Sequence, residues 1–254
     1  MDLATLIGLL IAFGAVGGSY LMEGGSFDAV FLAAPILIVV GGTLGATTVT
    51  TSIDTVMRIP HFLRVALTHH PHRFSDTIDT IVKLGEKARR EGILGLENDL
   101  TTISNPFFRK AVRLVIDGTE VAALREILET EIAYKEERHK RGITFFQKAG
   151  GYAPTMGILG TVLGLVHTLG NTADASKMAA HIAAAFIATL WGVGLANLFF
   201  LPVSDKLRMR HEEEIAHLEL IMEGVVALQM GENPRYIRTR LLAFIAPIHR
   251  SHEE

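Results

Sequence analysis

Hydrophobic residues fall along this chain in two kinds of run: long unbroken ones, and shorter ones that recur every three or four positions. Four runs are of the first kind. They lie within residues 1–22 (LATLIGLLIAFGAVGGSYL), 30–50 (VFLAAPILIVVGGTLGATTV), 150–170 (GGYAPTMGILGTVLGLVHTLG) and 182–203 (IAAAFIATLWGVGLANLFFLP). About 20 apolar residues rise about 30 Å as a helix, the thickness of a bilayer's hydrocarbon core. The pattern therefore predicts four membrane spans, the third and fourth forming a tight hairpin. A cleaved signal peptide is the alternative for the first run, but no basic leader precedes it.

The second kind of run fills residues 51–149 and 204–254. Residues 54–67 interleave apolar and basic side chains around Pro60 and suit a helix lying along the membrane surface. Ser75 is placed to cap a helix that carries Asp76, Asp79, Ile78, Ile81, Val82 and Gly85 and stops near Gly92. A short helix with Leu94, Leu96, Glu97 and Leu100 follows, then one over 107–116 closed by Asp117-Gly118. Val121, Leu124, Leu128 and Ile132 share a face of the next helix, and no breaker precedes Gly142, so this helix runs on into the third span. After the fourth span, Ile215, Leu218, Met222, Val225 and Gln229 repeat the spacing until Gly231 and Asn233-Pro234 end it. The expected fold is all-α: four membrane spans, a cytoplasmic helical domain inserted between spans two and three, and long helices continuing spans three and four into the cytoplasm.

Composition agrees, with 49% apolar and 20% charged residues among 254 and a mean hydropathy of +0.33. Charge fixes the orientation. Of 24 Lys and Arg, none precedes Arg58 and only Lys177 lies between the third and fourth spans. The positive-inside rule then puts 51–149, 204–254 and both termini in the cytoplasm. A sequence pI of 6.4 gives no nucleic-acid signal. The absence of cysteine removes disulfides and thiolate metal sites.

Candidate chemistry is sparse. No phosphate loop, nucleophile elbow, zinc-protease motif or dinucleotide fingerprint occurs, so an enzyme is not expected. The histidines of HHPHRF at 69–74 lack metal-ligand spacing and flank a proline, which reads as an exposed turn. The third span aligns Gly157, Thr161, Gly164 and Thr168 on one face, and the fourth aligns Ala185, Thr189, Gly192 and Ala196. Such stripes serve close helix packing, or present a surface to a third helix or an ion; both readings stand. Pro154 and Pro202 lie near the same end of the antiparallel legs, which suggests one membrane level and a hinge. The spans carry no Asp, Glu, Lys or Arg, and His167 is their one group whose ordinary pKa lies near neutral pH. It is either a structural residue near the outer end of the third span or, with Thr155, part of a pathway lining. Thr161 and Thr189 offer hydroxyls that can ligate a cation but cannot carry charge, so a conducting pore needs a carboxylate from another helix.

GYAPTMGILGTVLGLVHTLG, AAAFIATLWGVGLANLFFLPVSDKL and the tail GENPRYIRTRLLAFI, set in this four-span layout, resemble the MotA/PomA family of flagellar motor stator subunits, part of the wider group with ExbB and TolQ. The resemblance covers essentially the whole chain. It implies an inner-membrane homopentamer, embedded in lipid, around the single spans of two MotB/PomB-type partners whose aspartate takes up the ion. No cofactor is implied, only transported H⁺ or Na⁺, whose flow drives rotation against the rotor protein FliG. The family's channel-end prolines fall on Pro154 and Pro202, and its rotor-contact charges on Arg89, with Arg90 as the neighbouring choice, and Glu97. Thr161 matches the sodium-type members, and Thr189 is shared by both types. An ExbB/TolQ-like energiser of outer-membrane processes and a non-conducting membrane scaffold are the competing readings.

Overall fold

The computed structural model describes residues 3–68, 73–170 and 175–245, and among the described residues every regular element is helical. The histidine turn at 69–72 lies outside them. The main helices are α1 (Leu3–Met22), α2 (Ala33–Val49), α3 (Ile59–Leu67), α4 (Phe74–Glu91), α5 (Pro106–Ile116) and α6 (Val121–Gly170), then α7 and α8 (Pro234–Leu241). α7 is continuous through Ala175–Leu195, a π-helical turn Ala196–Phe200, and Leu201–Gln229. Three helices are long and apolar enough to cross a membrane, Leu3–Met22, Val121–Gly170 and Met178–Gln229, while Ala33–Val49 is a shorter apolar helix. The chain divides into two compact units, one of residues 1–69 and 139–209, the other of 70–138 and 210–254.

In the first unit α1 buries none of its residues against the chain. That is how a helix wrapped in lipid looks within one protomer, because lipid tails solvate apolar side chains as well as a protein core does. The second apolar run breaks where the sequence predicted continuity: Phe27–Val30 forms a separate turn and the helix restarts at Ala33. Pro35 has no N–H to give the Phe31 carbonyl, and its ring crowds the preceding turn, so the chain leaves the helix there. Trp191 takes up the slack, donating from Nε1 to Val30 O at 2.9 Å, with its ring edge-on to Phe31.

Pro35, Val39, Thr43 and Thr47, four residues apart, form the buried face of α2. α3 turns Phe62, Leu63 and Ala66 toward the lower part of the α6–α7 hairpin and leaves Arg58, His61 and Arg64 exposed. A Cβ on Gly142 of α6 would come within 2.9 Å of the Phe62 ring. The hairpin is also pinned by Ser204, whose buried hydroxyl donates to Ile143 O at 3.0 Å.

The second unit is an apolar core enclosed by helices. Ile78, Ile81 and Leu84 of α4 meet Leu96, Phe108, Val112, Leu124, Leu128, Leu218, Ile221, Val225 and Ile237. The predicted faces of α6 and α7 are thus its inner walls. Between α4 and α5, residues Ile93–Thr101 coil as a 3₁₀ helix after Gly92, whose φ of +80° ends α4. Asn105 starts α5, accepting from Phe107 N at 2.9 Å and Phe108 N at 3.2 Å, with Pro106 at the first helical position. Ser75 does not cap α4. The helix already begins at Phe74, and Arg73 flanks it without a side-chain cap. Phe74 is drawn in by packing its ring edge-on against His217 of α7, 5.4 Å between centroids.

Charge enters this unit at one well-placed point. Glu223 of α7 accepts from Arg125 of α6 at 2.7 Å and also from Arg240 of α8, so one carboxylate ties three helices. The hydrogen bond from Arg125 is the largest influence on Glu223 and holds its pKa below the usual carboxylate range, against the opposing effect of burial. A depressed carboxylate pKa means the folded state binds its proton less readily than the unfolded chain. The stabilisation is full above the unfolded pKa and is lost as pH falls through the folded one. Glu223→Gln is therefore expected to destabilise this unit by on the order of 1 kcal/mol at neutral pH, the scale of a partly screened pair. In thermal denaturation the gap between variant and parent should close as the pH is taken below about 4; a gap independent of pH would contradict the ion-pair assignment.

Candidate functional site

The α6–α7 hairpin is held by backbone touching backbone. A Cβ on Gly157 would lie 2.9 Å from Ala188 O and 3.2 Å from Gly192 Cα; one on Gly192 would lie 2.6 Å from Ala153 O and 2.9 Å from Gly157 Cα. Gly164 packs the same way on Ala185, whose Cβ would be 2.8 Å from an added Cβ. No side chain fits between the helices at these levels, which is the close approach that small residues permit in lipid. Packing is thus one real role of the two stripes.

The same approach brings the two hydroxyls together. Thr161 Oγ1 is 2.5 Å from Thr189 Oγ1, 3.0 Å from Ala185 O across the hairpin and 3.1 Å from Gly157 O on its own helix. Four oxygens here share two hydroxyl protons. If Thr161 donates to a carbonyl, Thr189 donates to Thr161 and keeps its own lone pairs; the reverse assignment leaves each carbonyl accepting only the N–H of its own helix. Either way the cluster has more acceptors than donors and no formal charge, an environment suited to a cation or to the proton of an acid. Thr168, by contrast, is buried and bonds Gly164 O of its own helix at 2.8 Å. Runs 3–22, 30–50, 150–170 and 182–203 supply no carboxylate to the cluster.

The prolines are not level. Gly157 meets Gly192 and Gly150 meets Leu201, so Pro154 lies opposite residues 195–197. Pro202 is about six residues, roughly 9 Å, further along. Their places near the ends of two apolar runs did not reveal the helix register, which the glycine contacts set. Pro154 sits half-buried inside α6 and frees the Gly150 carbonyl; Pro202 is exposed and frees that of Leu198. Just before Pro202 the helix widens into the π turn Ala196–Phe200, and α2 carries another at Leu37–Gly41. Such turns accompany prolines and recur at functional positions. Hydrophobic periodicity carries no signal for either one.

The other candidates are scattered. Thr155 is exposed and bonds Tyr152 O at 2.7 Å. His167 is exposed, and its ring lies 5.3 Å from that of His181 on α7, a residue one position outside the fourth run and so missed. In the second unit Arg89 and Arg90 occupy the last turn of α4 and Glu97 the following 3₁₀ run. All three are exposed and make no ion pair among the described residues. Beside them Lys87 bonds Asp99 at 2.8 Å, and that bond is the largest influence on its pKa, raising it against the lowering effect of desolvation. The arginines and Glu97 are thereby left facing solvent.

Known proteins match along almost the whole chain. Residues 6–92 fit the profile described as motility protein A N-terminal, and 99–220 that of the MotA/TolQ/ExbB proton channel family. Motility protein A of Borreliella burgdorferi is 36% identical over 251 residues, 99% of this chain and 96% of that one. The chain belongs to the MotA/TolQ/ExbB proton channel family. Within this family, the chemotaxis protein PomA of Vibrio alginolyticus is likewise 36% identical, over 96% of each chain. Among solved structures, a chain of the flagellar MotAB stator complex from Bacillus subtilis superposes with a TM-score of 0.92 at 30% identity, covering 98% of this chain and 99% of that one. A chain of C. jejuni MotAB gives 0.91 at 28% identity, over 97% of each. The backbone contact and the hydroxyl cluster therefore sit in a fold shared, over nearly its full length, with stator chains of the proton channel family.

The hairpin contact makes a direct demand on its glycines. Gly157→Ala and Gly192→Ala are each expected to cost about 1–3 kcal/mol by forcing the helices apart. Gly194→Ala, with nothing within 4 Å of the new methyl, should be neutral. Thermal unfolding of the detergent-purified chain measures this, and equal midpoints for all three variants would contradict the contact.

Proposed function

We propose that this chain is a flagellar motor stator subunit whose third and fourth spans supply the neutral, oxygen-rich wall of an ion pathway, while a MotB/PomB-type partner supplies the acid. The observation that carries this is the Thr161–Thr189 cluster, a surplus of acceptors in spans that hold no carboxylate. It is supported by near-full-length similarity to proteins named for motility and to MotAB stator structures. All four apolar runs cross the inner membrane, with both termini, residues 51–149 and residues 204–254 in the cytoplasm. Five copies surround two partner spans. A partner carboxylate that takes up an ion beside Thr161 and Thr189 loses its charge, changes its preferred hydrogen bonds and shifts the packing of the wall. Pro154 and Pro202, with the carbonyls they free and the π turn between their levels, form the cytoplasmic end of the pathway, where α6 and α7 can bend. Arg89 or Arg90 and Glu97, exposed and without ion pairs, engage the rotor protein FliG, where complementary charge orients contact more than it adds affinity.

A hydroxyl and carbonyl cluster suits Na⁺, a hard cation that takes oxygen ligands, so sodium is assigned as the driving ion. Swimming speed at fixed pH should rise with external sodium and fall away without it, and Thr161→Ala should raise the sodium needed for half-speed about tenfold, about 1.4 kcal/mol. Full speed without sodium would overturn the ion assignment. For the rotor contact, Arg89→Glu or Glu97→Lys should lower torque, with partial recovery on reversing a charge in the rotor. Failure of every rotor reversal to restore torque would remove the electrostatic role.

A further inference from the structure

Three helices of the first unit, α1, α3 and α7, enclose a cavity of about 290 Å³ that the ion pathway does not use. Its walls include Leu9 and Ala12 of α1, Leu63 and Leu67 of α3, and Leu198 and Phe199 of α7. Thr5, Gly8, Leu9 and Ala12 share one helical face, so that face of α1 looks onto the space. A Cβ on Gly8 would meet nothing within 4 Å, whereas those on Gly157 and Gly192 of the hairpin would strike backbone. Charge stands at one end only. Lys206 lines the cavity just beyond the end of the fourth apolar run. Arg64 falls between Leu63 and Leu67 on α3 and is a helix neighbour of Leu67. It is exposed, as is Arg58, and neither makes an ion pair among the described residues. Among the described residues no Asp or Glu lines the cavity, and Asp205, beside Lys206 in sequence, pairs with Arg208.

An apolar slot with positive charge at its mouth suits an amphiphile with an anionic head. Leu and Phe side chains solvate an acyl chain as well as other lipid does, and a guanidinium matches the oxygens of a phosphate with two parallel hydrogen bonds. Basic residues where spans leave the membrane draw anionic lipids for the same reason. We propose that this cavity binds an anionic phospholipid of the phosphatidylglycerol class, with one acyl chain between α1 and α7 and the headgroup phosphate on Arg64, beside Lys206. A zwitterionic lipid offers the same phosphate but brings its own cation to a basic rim, so headgroup charge decides the preference. The bound lipid ties α1, which buries none of its residues against the chain, to α3 and α7. The inference rests on the proposed membrane crossing and needs neither ion conduction nor rotor contact.

The test is native mass spectrometry of the full chain, purified in detergent and titrated with phosphatidylglycerol or phosphatidylcholine of identical acyl chains. Wild type should bind phosphatidylglycerol about fivefold more tightly, the scale of one basic residue at an anionic headgroup. Arg64→Glu should abolish that preference and Arg64→Lys should keep most of it. Arg235→Glu, exposed on α8 in the other unit, should leave it unchanged. Gly8→Leu, whose side chain enters open space, should lower retention of both lipids by filling the slot, which surface charge alone does not predict. Equal affinity for the two lipids in wild type, or an undiminished preference in Arg64→Glu, overturns the headgroup contact. Undiminished binding in Gly8→Leu overturns the slot, and a changed oligomer mass in that variant with lipid binding intact assigns the cavity to a second copy of the chain. Neither ion flux nor motility enters the readout, so failure here and failure of the stator reading are separate results.

Discussion

The structure turns on a contact without side chains. Where Gly157 meets Gly192, two helix backbones touch, and the distance between α6 and α7 at that level fixes everything above and below it. One turn further along, the same spacing leaves room for two hydroxyls and nothing larger. Thr161 and Thr189 therefore meet at hydrogen-bond distance, and Thr161 also reaches one carbonyl on each helix. Below, the register carries Gly150 to Leu201 and sets the two prolines at different levels. The threonines owe their position to the glycines.

The two units obey different physics. In the first, the apolar surface of α1 faces outward because the surrounding solvent is lipid, and specificity comes from small residues and a few hydrogen bonds such as Trp191 to Val30 O. In the second, large side chains are buried in the manner of a water-soluble domain, and charge is spent on joining helices at Glu223. α6 and α7 contribute to both units as uninterrupted helices, which is why one chain can show a glycine seam over one stretch and a leucine-rich face over another.

Much of this was legible in the residues. Hydrophobic spacing located the helices, the faces of Leu124–Leu128 and Leu218–Val225, and the hydroxyl stripe, because helical periodicity is a local property. Asp117-Gly118 and Gly231 marked ends that the structure keeps. The failures share a cause. Ser75 lost its cap role because Phe74 found His217 140 or so residues away in the chain, on the scale of the Thr77–His217 separation. The prolines were set level because antiparallel register depends on which glycines touch, and His181 was overlooked because it lies one position outside the fourth run. The break before Ala33 was written in Pro35, but an apolar run conceals a kink from any reading based on hydropathy. Arg89, Arg90 and Glu97 look like any solvated face, and only the resemblance to a family singled them out.

On the proposed function this hairpin is half of a pathway, with oxygen ligands in place and the acid in another chain. Ion flux into proteoliposomes tests it most directly, comparing this chain reconstituted alone with the chain co-reconstituted with an unplugged, aspartate-bearing single-span partner. No flux above empty vesicles is expected for the chain alone, and flux with the partner should vanish when its aspartate is replaced by asparagine. Cation passage by this chain alone would contradict it.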